Sequence, residues 1–357
     1  MKRVLIKLAQ LGVSLAIIAF VVNSAQKNDP EAFQRMLNQP KNWGLIALSS
    51  LCCLVAVITT FIRWYFLVRA LDLPFRLRDA FRLGFLGYFC NFISLGSVGG
   101  DLVKALFIAR EQKGRRAEAV ATVLMDRVVG LYALLVVASI SILIAGMQNS
   151  AIPEIRIISQ WTLACTAIGA AGILALVFPG VTNGRFSEFL ANIPKLGYTL
   201  DRLMKAVRMY RLKFPVVAAA GLMSILVHCT LVAALFLLAT GLPGAAPELL
   251  QHFVIVPLSM VTSALPLPAA GLGAFEFAMD KLYVMLPPAG AAVAVGQGLL
   301  VALTYRMITV GIALIGAGYY LNTRREMQAV IKQEEDDTDL DANVDFMARE
   351  PVAAPVG

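Results

Sequence analysis

Two arginines lie inside long apolar segments, where a charged side chain needs a specific reason to be present. Arg127 belongs to the sequence MDRVVGLY and Arg306 to TYRMITVG. An arginine near the middle of a membrane helix costs about 2.5–3.5 kcal/mol on insertion scales, and it usually faces a bundle interior or a cavity. Two roles fit such residues. One is a structural ion pair, and the other is recognition of an anionic lipid headgroup, because a guanidinium binds phosphate through two parallel hydrogen bonds.

Acidic residues near these arginines are the next candidates. Asp126 precedes Arg127 by one residue, which is about 100° around a helix, so the two side chains diverge. We therefore expect Asp126 to pair with a basic group on another helix, such as Arg306. Glu276 and Asp280 are four residues apart in the sequence. They would either contact a cationic or hydroxyl-rich headgroup or lie at the outer surface.

Two segments rich in glycine, serine and proline interrupt the apolar sequence, SLGSVGG at 94–100 and PLPAAGLG at 266–273. Non-helical backbone cannot face lipid, so it lies against protein or a wet cavity. The segments therefore serve as hairpin architecture or line a cavity. Asp101 is expected to cap the following helix, to pair with Lys104, or both. The candidate substrate-binding residues are Arg127, Arg306, Asp126, Asn91, Ser94, Ser97, Gly99, Gly100, Asp101, Lys104, Gly271, Gly273, Glu276 and Tyr305.

The composition of the chain predicts the membrane helices that carry these residues. The chain is 59% hydrophobic and 15% charged, with a mean hydropathy of +0.74, which is typical of a polytopic membrane protein. Apolar windows predict membrane helices near 4–22, 44–70, 117–146, 157–178, 215–240 and 289–320. Interrupted apolar regions lie near 80–110 and 250–284. An uncleaved first helix is favoured over a signal peptide, because Lys7 lies in its first turns and many spans follow.

Loop charges predict the orientation. Basic loops flank the 80–110 region on both sides, and such loops mark the cytoplasmic face. A re-entrant hairpin that enters and leaves from the cytoplasm satisfies both loops, and the region 250–284 would enter from outside. The predicted fold is all-α, with about six transmembrane helices and two re-entrant hairpins in an inverted repeat. Six spans and two re-entrant hairpins place both termini in the cytoplasm. The alternative is eight full spans.

The acidic tail, the cysteines and the lack of catalytic motifs in the sequence limit the possible functions. Residues 1–321 form the predicted membrane domain, and residues 322–357 form an acidic, disordered cytoplasmic tail. The five cysteines lie in apolar stretches without metal-ligand spacing, so they are interpreted as small buried hydrophobic residues. Neither a nucleotide-binding loop nor a nucleophile–base pair is visible. We therefore predict no metal, no cofactor, no nucleic-acid partner and no enzymatic activity.

The motifs NFISLGSVGGDLVKALFIAR, DRVVGLY, PLPAAGLGAFEF and the late YR helix together resemble the flippase-like transmembrane domain of the lysylphosphatidylglycerol synthase/flippase family. The resemblance extends from the first helix to about residue 321. It implies movement of a phospholipid or polyprenyl-type lipid between the leaflets of a bacterial-type inner membrane. Synthases of that family carry a soluble acyltransferase-like domain after the membrane region, where this sequence has the acidic tail, so synthase activity is not expected. The alternative is a non-transporting membrane partner of a separate lipid- or glycan-modifying enzyme.

Overall fold

The structure is a computed structural model that describes residues 38–93, 99–112, 114–177, 208–264, 273–288, 290 and 292–319. Helices dominate these residues, and we number them in chain order. They are α1 (Trp43–Ala70), α2 (Leu77–Ile93), α3 (Gly99–Glu111), α4 (Arg116–Ile144), α5 (Pro153–Val177), α6 (Phe214–Gly241), α7 (Leu249–Ala264), α8 (Ala274–Met285) and α9 (Gln297–Tyr319).

Five of these helices, α1, α4, α5, α6 and α9, are long and apolar enough to cross a membrane. The protein is therefore a multi-pass membrane protein, and five of the predicted spans are confirmed. The predicted span 4–22 and the tail 322–357 lie outside the described residues. The predicted start of the last span at 289 was wrong, because α9 begins only at Gln297. Gly290 and Gly296 adopt positive φ angles of 77° and 96° just before it, a conformation that an α-helix does not contain.

Helices α1 and α6 lie side by side and run in opposite directions. The backbone N–H of Asn42, just before α1, donates to the carbonyl of Gly241 at the end of α6, at 2.9 Å. Further along, the Ser49 hydroxyl donates to the carbonyl of Ala234 at 2.7 Å. The partner's residue number falls as the α1 number rises, so the pair is antiparallel over most of its length.

Helices α2 and α3 form an antiparallel pair that we call the first hairpin. An ion pair joins Arg82 near the start of α2 to Glu111 at the end of α3. At the opposite end, the Asn91 side-chain oxygen accepts the Gly100 N–H at 2.8 Å. Beyond the open end, the Gln112 side chain donates to the carbonyl of Pro74 at 2.7 Å. The chain therefore enters and leaves the first hairpin at the same end.

Helices α7 and α8 form a second antiparallel pair, the second hairpin. A ring nitrogen of His252 lies 2.7 Å from the Tyr283 hydroxyl, and the Gln251 side chain donates to the carbonyl of Pro287 at 2.8 Å. These contacts place the start of α7 beside the end of α8. The second hairpin thus repeats the geometry of the first, with its connecting segment 265–272 outside the described residues.

The first hairpin packs against both α1 and α9. Phe61 of α1 packs edge-to-face on Phe85 of α2 with ring centroids 4.9 Å apart. Helix α9, which follows the second hairpin, packs on α2 of the first. At that contact a Cβ atom on Gly316 would lie 2.1 Å from the carbonyl oxygen of Phe85. Only a glycine permits this approach, so the last helix is seated directly against the first hairpin.

Candidate functional site

The first arginine site lies between the first hairpin and α4. Arg127 Nη1 lies 2.5 Å from Asp101 Oδ2, and Lys104 Nζ lies 3.8 Å from the other oxygen of the same carboxylate. The expected pairing of Asp101 with Lys104 is present, but the expected capping role of Asp101 was wrong. Helix α3 begins two residues earlier, at Gly99, and the side chain of Asn91 accepts the Gly100 N–H instead. The Asp101 carboxylate is thereby left to contact the two cations.

The second arginine site lies between the second hairpin and α9. Arg306 contacts Glu276 Oε1 through Nε at 2.9 Å and through Nη2 at 2.6 Å. The other Glu276 oxygen accepts the Gly273 N–H at 2.8 Å. Gly273 has a φ of 88°, which suits glycine at the start of α8. One buried carboxylate thus caps a helix and holds an arginine on the next one.

The two sites have the same construction. In each, a carboxylate in the first turn of the hairpin's second helix contacts an arginine on the long helix that follows. The arginine side chains keep 33% and 29% of their surface accessible. In each site an arginine side chain thus stays partly accessible while it contacts an acidic side chain.

The predicted pairing of Asp126 with Arg306 was wrong. Asp126 accepts a hydrogen bond from Arg63 Nε of α1 at 2.8 Å, and Arg306 is held by Glu276. Arg63 Nη1 also donates to the Ser224 hydroxyl of α6 at 2.6 Å. Because the side chains of Arg63 and Asp126 are only 7% and 12% exposed, this cluster joins three helices in the protein interior. Asp126 therefore lies in a different cluster from Arg127.

Arg63 is a buried charged residue that is not among the predicted site residues. It lies inside a 28-residue apolar helix, and an arginine there is as costly as Arg127. The cost of burying this charge is the sequence feature that could have identified Arg63 as a candidate. The two acidic residues that were expected to face a headgroup or the outer surface are also buried, because Glu276 and Asp280 are 1% and 5% exposed. Asp280 accepts the Gly296 N–H at 2.8 Å, so it fixes the start of α9.

Lys104 has unusual surroundings for an ammonium group. Its Nζ lies 5.5 Å from the centre of the Trp64 ring and 5.9 Å from that of Phe61. The Lys104 side chain is only 14% exposed. Among the described residues, the closest anionic oxygen is that of Asp101, at a distance longer than a hydrogen bond. Two aromatic faces and a carboxylate that is shared with Arg127 are therefore the described surroundings of this charge.

The remaining predicted residues that the structure describes belong to one or the other of the two arginine sites. Asn91, Gly99 and Gly100 belong with the Arg127 site, where Gly100 approaches the backbone of Gly87. Tyr305 precedes Arg306 and packs on Phe275 of α8, with ring centroids 5.7 Å apart, so it belongs with the second site. The predicted Ser94, Ser97 and Gly271 lie outside the described residues.

This architecture defines a helical multi-pass membrane protein in which arginine–carboxylate pairs lie beside two antiparallel hairpins. The chain matches the family model described as the lysylphosphatidylglycerol synthase TM region over residues 7–316, and it belongs to that family. The resemblance inferred from the motifs is thereby confirmed. Membership indicates a role connected with membrane lipids. A comparison with curated proteins gives no match.

Proposed function

We propose that this protein is a lipid transporter of the flippase type in a bacterial inner membrane. The polar headgroup of an anionic phospholipid or polyprenyl-type lipid crosses through a polar path beside the hairpins, while its chains remain in the bilayer. The protein acts on the lipid's position and not on its covalent bonds, so it is not an enzyme. Both termini are cytoplasmic in this proposal, as the basic loops indicate.

The observation that carries this proposal is the pair of partly accessible arginines. At 1.5 Å per residue, Arg127 lies about 16 Å from the start of α4, and Arg306 lies about 14 Å from the start of α9. Both distances are near half of the roughly 30 Å hydrocarbon thickness. An arginine at this depth whose side chain keeps about a third of its surface accessible is suited to exchange a carboxylate for a lipid phosphate. One or both arginines would then hold the headgroup during its passage.

The order of elements supports an inverted repeat. Helices α1–α4 form a first unit of long helix, hairpin and long helix, and α6–α9 form a second unit with the same order. Because α1 and α6 are antiparallel, the second unit runs in the opposite direction to the first. The hairpin helices have 17, 13, 16 and 12 residues, about 18–26 Å, so each is short for a full crossing. Inverted units with interrupted helices are a feature of transporter binding sites.

The re-entrant arrangement predicts that Pro74 and Gly114, which flank the first hairpin, face the same compartment. In a background without the five native cysteines, Pro74→Cys and Gly114→Cys should both react with an impermeant maleimide from the cytoplasmic side only. Ser150→Cys, in the loop after α4, is the matched control and should react only from outside. Labelling of the first two from opposite sides would contradict the re-entrant hairpin and the inverted repeat.

The transport role of Arg127 is tested by purified protein in vesicles that contain a fluorescent phosphatidylglycerol. Arg127→Lys keeps the charge but removes the two-pronged donor, so we expect at least a tenfold lower transport rate with unchanged thermal stability. The double variant Asp101→Asn/Arg127→Gln removes both charges of the pair but keeps an oxygen beside Lys104 at position 101, so it should fold yet remain inactive.

Other outcomes distinguish the alternatives. A folded Arg127→Lys protein that transports at the original rate would contradict phosphate binding by Arg127. Full activity in the double variant would mean that the pair is only structural. Unmodified protein that moves no lipid alone, but supports a co-purifying enzyme, would indicate the membrane-partner role.

A further inference from the structure

The two units differ in the charge that they place beside their hairpins. In the first unit, Asp101 is shared by Arg127 and Lys104, so three formal charges sum to one excess positive charge. In the second unit, Arg306 faces Glu276, with the buried Asp280 one turn further along α8. The described part of the second site therefore has no excess positive charge.

The connecting segments of the hairpins do not change this difference. Residues 94–98 have the sequence SLGSV and residues 265–272 have LPLPAAGL, neither of which contains an ionisable side chain. The nearby Asp126 is occupied by Arg63, so that pair is neutral. The excess positive charge of the first site thus remains after its described neighbours have been counted.

Lys104 is the source of this excess. Its ammonium can donate three hydrogen bonds, yet among the described residues it has only the 3.8 Å contact with Asp101 and the faces of Trp64 and Phe61. A largely buried ammonium without close oxygen partners is costly. An anionic oxygen placed beside Lys104, within reach of Arg127, would give this ammonium the close oxygen partner that it lacks among the described residues, and would offset the excess charge counted there.

We propose that the two units are functionally unequal: the first unit contains the headgroup-selecting site, where Lys104 and Arg127 together bind a lipid phosphate of net negative charge, and the second unit does not. This proposal rests on the proposed function and adds a specificity-determining residue to it. Lys104 selects lipids such as phosphatidylglycerol over zwitterionic lipids, whose own ammonium group would be repelled by the excess positive charge.

The test uses Trp64 as a built-in reporter of ligand at this site. The chain has three tryptophans, and the other two, Trp43 and Trp161, are 72% and 68% exposed. Replacing both by phenylalanine leaves Trp64 alone, beside Lys104. The detergent-purified protein is titrated with dihexanoyl phosphatidylglycerol, dihexanoyl phosphatidylcholine or glycerol 3-phosphate while Trp64 emission is recorded.

We expect phosphatidylglycerol to bind at least tenfold more tightly than phosphatidylcholine, and Lys104→Gln to lose at least tenfold in phosphatidylglycerol affinity. Lys104→Arg keeps the charge and should keep the preference. Lys281→Gln is the matched control, because Lys281 of α8 also lies over an aromatic ring, 5.8 Å from the centre of Phe277. It should leave binding unchanged. Glycerol 3-phosphate should bind at least tenfold more weakly, since it lacks the chains.

Equal affinity for the two lipids, or unchanged affinity in a folded Lys104→Gln protein, would overturn the proposal. Equal binding of glycerol 3-phosphate would overturn its assignment to a lipid. If Lys104→Gln does not fold, the unmodified protein is tested at different salt concentrations. Raising the salt concentration should weaken the binding of phosphatidylglycerol but not that of phosphatidylcholine. If the protein does not prefer phosphatidylglycerol over phosphatidylcholine even at low salt, the proposed site is contradicted. Because binding is measured apart from transport, selective binding without lipid movement would contradict only the transporter role.

Discussion

Arg63→Met is expected to lower the free energy of unfolding by about 3–5 kcal/mol, because it leaves the Asp126 carboxylate as an unpaired buried charge. The Asp126 side chain is only 12% exposed, so water cannot replace the lost guanidinium efficiently. The change also removes the donor to Ser224, which weakens the contact between α1 and α6. Thermal unfolding of detergent-purified protein, followed by circular dichroism, measures this loss.

The double variant Arg63→Met/Asp126→Leu separates an unpaired charge from other causes. Removal of both charges leaves an apolar contact, so we expect most of the lost stability to return. Arg156→Met on α5 is the matched control, because Arg156 is exposed and surface changes of this kind stay within about 0.5 kcal/mol. Stability in Arg63→Met equal to that of the control would show that the pair contributes nothing.

Gly100→Ala is expected to abolish headgroup binding and transport. A Cβ atom at this position would lie 2.0 Å from the carbonyl oxygen of Gly87 and 2.5 Å from the side-chain oxygen of Asn91. Backbone cannot yield as a flexible side chain does, so α2 and α3 must separate. Asp101, the next residue, would then leave Arg127. We expect at least a tenfold loss of phosphatidylglycerol binding by the Trp64 titration.

Two glycines in other helices are suitable controls for the added methyl group. A Cβ atom on Gly172 of α5 or on Gly221 of α6 would meet no atom within 4 Å. Because alanine favours a helix over glycine by about 0.5–1 kcal/mol, these variants should be as stable as the unmodified protein or slightly more so. Normal binding in Gly100→Ala would show that the close approach of the first hairpin's helices is dispensable.

The long helices could be predicted from sequence, because a run of about 20 apolar residues has few other uses. The ends of α1, at 43–70 against the predicted 44–70, show how well this works where polar residues or prolines flank the run. Charge pairing was harder to predict. Adjacent residues on a helix point about 100° apart, so Asp126 and Arg127 face different neighbours, and no periodic pattern identifies those neighbours. The partner Asp101 was present in the candidate set, but only the fold brings it to Arg127.

Charged residues in apolar helices can be identified from sequence, but their neighbours cannot. The cost of placing a charge in hydrocarbon identifies Arg127 and Arg306 as candidates, and the same cost applies to Arg63, which is not among the predicted site residues. The surroundings of Lys104 could not be predicted, because Trp64 and Phe61 lie on another helix and approach it only through packing.

The contact between Gly316 and Phe85 has a thermodynamic consequence for the two halves of the protein. Since α9 contains Arg306 and is seated without a gap on α2, a tilt of the first hairpin either carries α9 with it or breaks the contact. If headgroup binding at the Arg127 site tilts the first hairpin, it also changes the free energy of the packing between α2 and α9, and a change that starts at α9 acts back on the Arg127 site by the same amount. A bulky residue at position 316 would push α9 away from α2 and remove this linkage between the two halves.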